Sequence, residues 1–134
     1  MSRREILFRG KTYNGDWIEG YFVCLNGTPK IINKNGKSFD VLRDTVSQYT
    51  GLKDKNGQKV FEGDIIQFIA YDSERKCYYK IRDIIEFKLL ESADDMDLDS
   101  YGYHINPYWE GKFEIIGNRW DNPKEAEEIK QEEM

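Results

Sequence analysis

The sequence predicts an all-β (mainly β) protein: an antiparallel hairpin meander closing as a small barrel, with a short C-terminal α-helix. Three observations predict it. Four Asn-Gly dipeptides, Asn14-Gly15, Asn26-Gly27, Asn35-Gly36 and Asn56-Gly57, mark the N-terminal part of the chain. Asn-Gly suits type I′ hairpin turns because both residues tolerate positive φ. Short apolar runs alternate with these turns, and aromatic residues make up 14% of the chain, a composition suited to half-buried pleated surfaces. Near the end, Asp121-Asn-Pro-Lys-Glu125 has the form of a helix start.

The elements follow in order. Ile6–Phe8, Trp17–Leu25, Ile31–Ile32, Phe39–Leu42 and Val46–Tyr49 are short apolar runs between the Asn-Gly turns and read as strands of a meander. Gly51–Gly57 is a polar turn leading to Lys59-Val60-Phe61, and Glu62-Gly63-Asp64 breaks the chain again. In Asp64–Tyr71, Ile66, Phe68 and Ala70 face one side and Ile65, Gln67 and Ile69 the other. Two apolar faces predict a central strand. Residues 72–76 form a charged turn, and Cys77–Leu90 reads as a long or bent strand, with a helix as the competing assignment. Residues 91–100 form an acidic loop. Lys112–Gly117 reads as the last strand, with Phe113 and Ile115 on one face. Asn122 is the N-cap candidate, Pro123 the first helical residue and Glu125 the capping-box acid of a helix over about 123–132. Its apolar stripe is only Ala126 and Ile129, so weak docking and a frayed end are expected. Residues 1–118 are expected to form one β domain, with subdomains of about 1–57 and 58–118 as the alternative, and 119–134 an acidic helix and tail.

No stretch approaches the run of about 20 apolar residues that a membrane helix needs, and the Met1–Ile6 start lacks the apolar core of a signal peptide. A cytoplasmic protein without a membrane role is expected. Cys24 and Cys77 stand alone, without metal or redox spacing, and read as reduced thiols. The net charge of −5 conceals a division. Residues 1–60 carry an excess of basic side chains, and residues 61–134 a larger excess of acidic ones. Two solvated faces explain this most simply; head-to-tail association or an acidic ligand near the first half would also use it.

No catalytic, cofactor or metal site is expected. The lone histidine, His104, has no neighbouring nucleophile motif. Asp95, Asp97 and Asp99 start like a calcium loop, but Ser100 and Asn106 stand where its glycine and bidentate glutamate belong. No phosphate cradle, dinucleotide fingerprint or zinc spacing occurs. The aromatic cluster Tyr101, Tyr103, Tyr108 and Trp109 is read first as core, then as a protein interface, and third as a nucleic-acid platform. The basic residues Arg3, Arg4, Arg9, Lys11, Lys30 and Lys37 would have to converge on one face to bind nucleic acid.

Several segments together carry a resemblance: Arg4-Glu-Ile-Leu-Phe-Arg-Gly10, Gly15–Tyr21, Thr45–Gly57, Val60-Phe-Glu-Gly-Asp-Ile-Ile66, Phe113-Glu-Ile-Ile-Gly-Asn118 and Asn122-Pro123. They resemble the YopX family of phage and prophage proteins over about residues 4 to 123, least over 72–111. The resemblance implies a mainly-β fold with an SH3-type barrel, a bacterial host cell and no enzymatic activity, and so no catalytic residues to carry over. The function expected is a non-enzymatic interaction module that self-associates as a homo-oligomer or meets a phage or host protein. The alternative is a nucleic-acid accessory protein using the basic half.

Overall fold

The computed structural model describes residues 6–89, 101–103 and 111–132, and only the backbone at 87–89 and 101–103. The chain forms two compact units, Met1–Gly51 and Leu52–Met134.

The first unit contains β1 (Phe8–Lys11), β2 (Trp17–Leu25), β3 (Thr28–Ile32), β4 (Ser38–Asp40), a 3-10 turn at Arg43–Thr45 and most of β5 (Ser47–Lys53). Its strands run in the order β4-β3-β2-β1-β5, antiparallel throughout. Phe8, Phe22, Ile31 and Phe39 share one face through the pairs Phe22↔Ile31 and Ile31↔Phe39. Ile31 and Val41 are fully buried there. Two glycines make this packing possible. A Cβ at Gly20 would fall 2.0 Å from the Ile32 carbonyl oxygen, and one at Gly10 2.9 Å from Val41.

The Asn-Gly turns are of two kinds. Only Asn26-Gly27 has two positive φ values, 51° and 80°, the type I′ geometry. At the other three only the glycine is left-handed. There Thr12–Asp16, Asn33–Lys37 and Asp54–Gln58 repeat one pattern. The first residue's N–H donates to the fifth's carbonyl, and the glycine N–H donates to the first's carbonyl. A side-chain oxygen of Thr12, Asn33 or Asp54 accepts from the fifth N–H as well. These are longer loops with the glycine in the left-handed bulge position, so the type I′ expectation fails at three of the four.

The second unit contains the end of β5, β6 (Lys59–Phe61), β7 (Asp64–Asp72), β8 (Cys77–Ile84), β9 (Phe87–Leu89), β10 (Tyr101–Tyr103), β11 (Glu114–Asn118) and α1 (Pro123–Glu132). β5 and β6 are neighbours, β9 pairs with β10, and β7 lies between β11 and β8. β7 is therefore the central strand its two apolar faces predict. Ile66 packs with Val60, Ile85 and Phe113 on one face. Ile65 packs with Ile84, Ala126 and Ile129 on the other. The expected long strand from Cys77 is broken at Ile85 and Glu86 into β8 and β9, and no helix forms there.

The expected SH3-type barrel is not present: the sheets do not close. In the first unit one isolated bridge, Thr12↔Val41, curls the chain after β4 towards β1, but a single bridge is no strand pair. In the second unit the turn between β6 and β7 redirects the chain rather than pairing these strands. Asp64 fixes that turn by accepting the Phe61 N–H at 2.8 Å. Gly63, at φ 90°, donates its N–H to Ile85 and accepts from Arg119. The glycine thus lengthens the three-stranded sheet on both sides, and β6 is left in a different sheet. Closure needs a consistent strand stagger around the whole ring, and this turn interrupts it.

The helix has the predicted bounds and Asn122 takes the N-cap position, its carbonyl accepting from the Ala126 N–H, but the Asn122 and Glu125 side chains and the docking differ from expectation. The Asn122 side chain accepts from the Asn118 N–H at 3.2 Å, so it closes the β11–α1 corner. A Cβ at Gly117 would lie 2.4 Å from that same oxygen. Glu125 bonds Arg82 at 3.0 Å. Arg82 also meets Glu132 at 3.3 Å and Glu128 at 3.8 Å. Ile129 is 1% exposed, and burying such a side chain contributes about 2 kcal/mol. Two apolar residues suffice because both land on Ile65 and Ile84.

Candidate interaction surface

The β7–β8 hairpin builds the most distinctive surface. Eight residues of each strand pair in unbroken register, from Ile65↔Ile84 to Asp72↔Cys77. Its turn is held by the Asp72 carboxylate, which accepts from the N–H groups of Glu74 and Arg75. Lys76 takes a left-handed φ of 54°.

The inner pairs are covered by the two apolar clusters, while the outer pairs carry apolar side chains into solvent. Tyr78 is 75% exposed, Ile69 65%, Tyr71 54% and Tyr79 48%. Directly opposed residues share a face, so Tyr71, Tyr78, Ile69 and Lys80 lie together, and Ala70 and Tyr79 lie on the reverse. The Tyr71 and Tyr78 rings contact at a 4.9 Å centroid separation. Among the described residues β8 is an edge of its sheet, and Cys77–Lys80 are all exposed. Exposed apolar edges are templates for pairing with another chain.

At the inner end of the sheet the electrostatics are different. Burial holds the Glu62 carboxyl above the usual carboxylate range; nearby Arg119 opposes this and Glu86 adds to it. Glu86 bonds Lys130 of α1, and Arg119 stands 3.9 Å from it. The Arg82 guanidinium is pushed further up by its hydrogen bond to Glu125.

The residues singled out from the sequence lie elsewhere. Tyr101 and Tyr103 are in β10, paired with Leu89 and Phe87. Tyr108, Trp109, Arg3, Arg4, His104 and the acidic loop 91–100 lie outside the described residues. Arg9 and Lys11 converge on Trp17, at 4.7 and 5.9 Å from its ring centroid. Lys30 is paired with Asp40, and Lys37 lies 5.1 Å from the Phe39 ring. Cys24 and Cys77 are free thiols. No described helix is long and apolar enough to cross a membrane. The sequence does not single out Tyr71, Tyr78 and Tyr79; the signal for them is three tyrosines flanking the charged turn 72–76.

The protein family described as YopX protein matches residues 4–126. Over 99 residues the chain is 29% identical to the matrix protein of Khujand virus, 27% to that of European bat lyssavirus 1 and 29% to that of Aravan virus. Each alignment covers 70% of this chain and 49% of the relative. The chain thus spans about half the length of the curated relatives it matches. The crystal structure of protein EF1440 from Enterococcus faecalis is 22% identical, with a TM-score of 0.47 over 92% of this chain and 99% of that one.

Proposed function

The chain belongs to the YopX protein family, and on that premise we propose that it is a non-enzymatic, self-associating structural module. The observation that carries this reading is the outer half of the β7–β8 hairpin, where Ile69, Tyr71, Tyr78 and Tyr79 are exposed on a sheet of which β8 is, among the described residues, an edge. Tyrosine is favoured at interfaces because its ring buries while its hydroxyl stays wet. Likeness to proteins named as lyssavirus matrix proteins is in keeping with a structural role. Light scattering and sedimentation over a range of concentration, at low and high salt, test the proposal. The expected mass exceeds the 15.9 kDa of one chain and rises with concentration. Replacing Tyr78 and Tyr79 by serine should return it to one chain. A wild-type protein of monomer mass at every concentration and salt contradicts the reading.

A second reading, nucleic-acid binding, is favoured by one feature: Arg9 and Lys11 both lie over Trp17, a pairing of cations and ring that suits stacked bases. An electrophoretic shift of single-stranded DNA or RNA at low salt supports it, and no shift under those conditions removes it.

A further inference from the structure

Resting on the self-association reading, we infer that two copies join through β8 itself, antiparallel about a two-fold axis at Tyr79. Two three-stranded sheets then become one of six strands, β11-β7-β8-β8-β7-β11.

Symmetry narrows the choice of register. A two-fold axis perpendicular to a sheet, carrying a strand onto an antiparallel copy of itself, must set some residue opposite itself. In the exposed stretch Cys77–Lys80 four residues could take that place. Lys80 at the axis sets two ammonium groups face to face, and directly opposed like charges destabilise a sheet. Cys77 or Tyr78 at the axis leaves no more of β8 in overlap than Cys77–Tyr79, given that the strand begins at Cys77. Tyr79 at the axis pairs Cys77 through Ile81 without opposing two charges.

The chemistry of that register is complementary. Tyr78 meets Lys80 of the second copy, twice over, on the face that also carries Tyr71 and Ile69. Ring and ammonium attract in that position. Tyr79 meets its own copy on the reverse face, beside Ala70. Cys77 meets Ile81, an apolar contact. Just beyond the overlap Lys76 approaches Arg82, whose charge is already answered by Glu125 at 3.0 Å, Glu132 at 3.3 Å and Glu128 at 3.8 Å. Beyond that, Arg75 comes opposite Asp83.

Cysteine cross-linking reads the register directly. In full-length protein carrying Cys24→Ser and Cys77→Ser, the variants Tyr79→Cys and Tyr78→Cys are compared with oxidised glutathione as oxidant. Opposed residues of an antiparallel pair lie within disulfide reach, so Tyr79→Cys is expected to cross-link at least about tenfold faster than Tyr78→Cys. Should Tyr79→Cys weaken the pairing, Ile81→Cys with native Cys77 in a Cys24→Ser background gives the same reading through the 77–81 pair. Equal or faster cross-linking of Tyr78→Cys overturns the register. So does a dimer, seen by sedimentation, in which neither Tyr79→Cys nor the 77–81 pair cross-links; in both cases self-association itself stands. A wild-type monomer at all concentrations overturns the reading on which the inference rests.

Discussion

The inner and outer halves of the β7–β8 hairpin share one ladder and one register, yet they have opposite fates. At the inner end Ile65 and Ile66 are 0% and 1% exposed. α1 lies over the first and the Val60–Phe113 cluster over the second. Beyond Phe68 and Ile81 the same two strands run on with apolar and aromatic side chains, among them Ile69, Tyr71, Tyr78 and Tyr79, that nothing described covers. Tyr78 is 75% exposed and Ile69 65%. Whether an apolar strand residue is core or exposed surface is therefore decided by what covers it.

The largest test of this contrast is in the inner half. Ile66→Ala should cost about 3 to 4 kcal/mol of stability, read from denaturant unfolding, because its site is packed closely by Val60, Ile85 and Phe113 and collapses poorly. Replacing Tyr78 by serine in the outer half, measured at concentrations where the chain is monomeric, should cost no more than about 1 kcal/mol, the worth of its cross-strand contact with Tyr71. Comparable losses at both positions would break the comparison.

Asp54 comes next. It is 3% exposed. Its carboxylate accepts from the N–H groups of Asn56, Gln58 and Ile115, tying the β5–β6 turn to β11. Asp54→Ala should cost about 2 kcal/mol by leaving those donors unpaired, measured in the same way.

Glu62 gives a smaller effect with a pH signature. Burial raises its folded pKa, so the folded chain holds this proton more tightly than the unfolded one. Stability from this group is therefore full at low pH and falls as pH climbs from the ordinary carboxylate value through the raised one. Glu62→Gln should leave Tm unchanged near about pH 4 and raise it near about pH 7. A difference that does not vary with pH would show that burial of the charge is not the cause.

Smallest is Lys76→Gly at the hairpin tip. It should add up to about 1 kcal/mol by relieving a left-handed conformation unfavourable to side chains, and leave the mass of the assembly unchanged.

Much of the fold was legible because local chemistry enforces it. The two apolar faces of β7, the bounds of α1 and the positions of the turns all follow from residues that act on their neighbours. The barrel was misread because alternation tells which face is buried but not which strand lies alongside. The deciding contact is the bonding of Gly63 to Ile85 and Arg119, far apart in sequence. The type of three Asn-Gly turns was misread for a related reason. Thr12, Asn33 and Asp54 supply side-chain acceptors two residues before the asparagine, and these lengthen the loop.

The candidate surface was less legible. The segments that carry the family resemblance include Asp54, Gly63, Asp64, Asn118 and Asn122, which hold turns and corners. Asn118 alone accepts from Trp120 and Asp121 and bonds the Asp121 carboxylate. They report how the chain folds. The exposed tyrosines of the hairpin lie within 72–111, where the resemblance is weakest, or at its border.

Hydrogen–deuterium exchange at two protein concentrations tests the central claim most directly. If the outer hairpin is an interface between copies, amide protection across Cys77–Lys80 rises with concentration while that of the inner β7 amides, Ile65 and Ile66, stays constant. Exchange at Cys77–Lys80 that does not depend on concentration, over a range spanning the expected association, would contradict it.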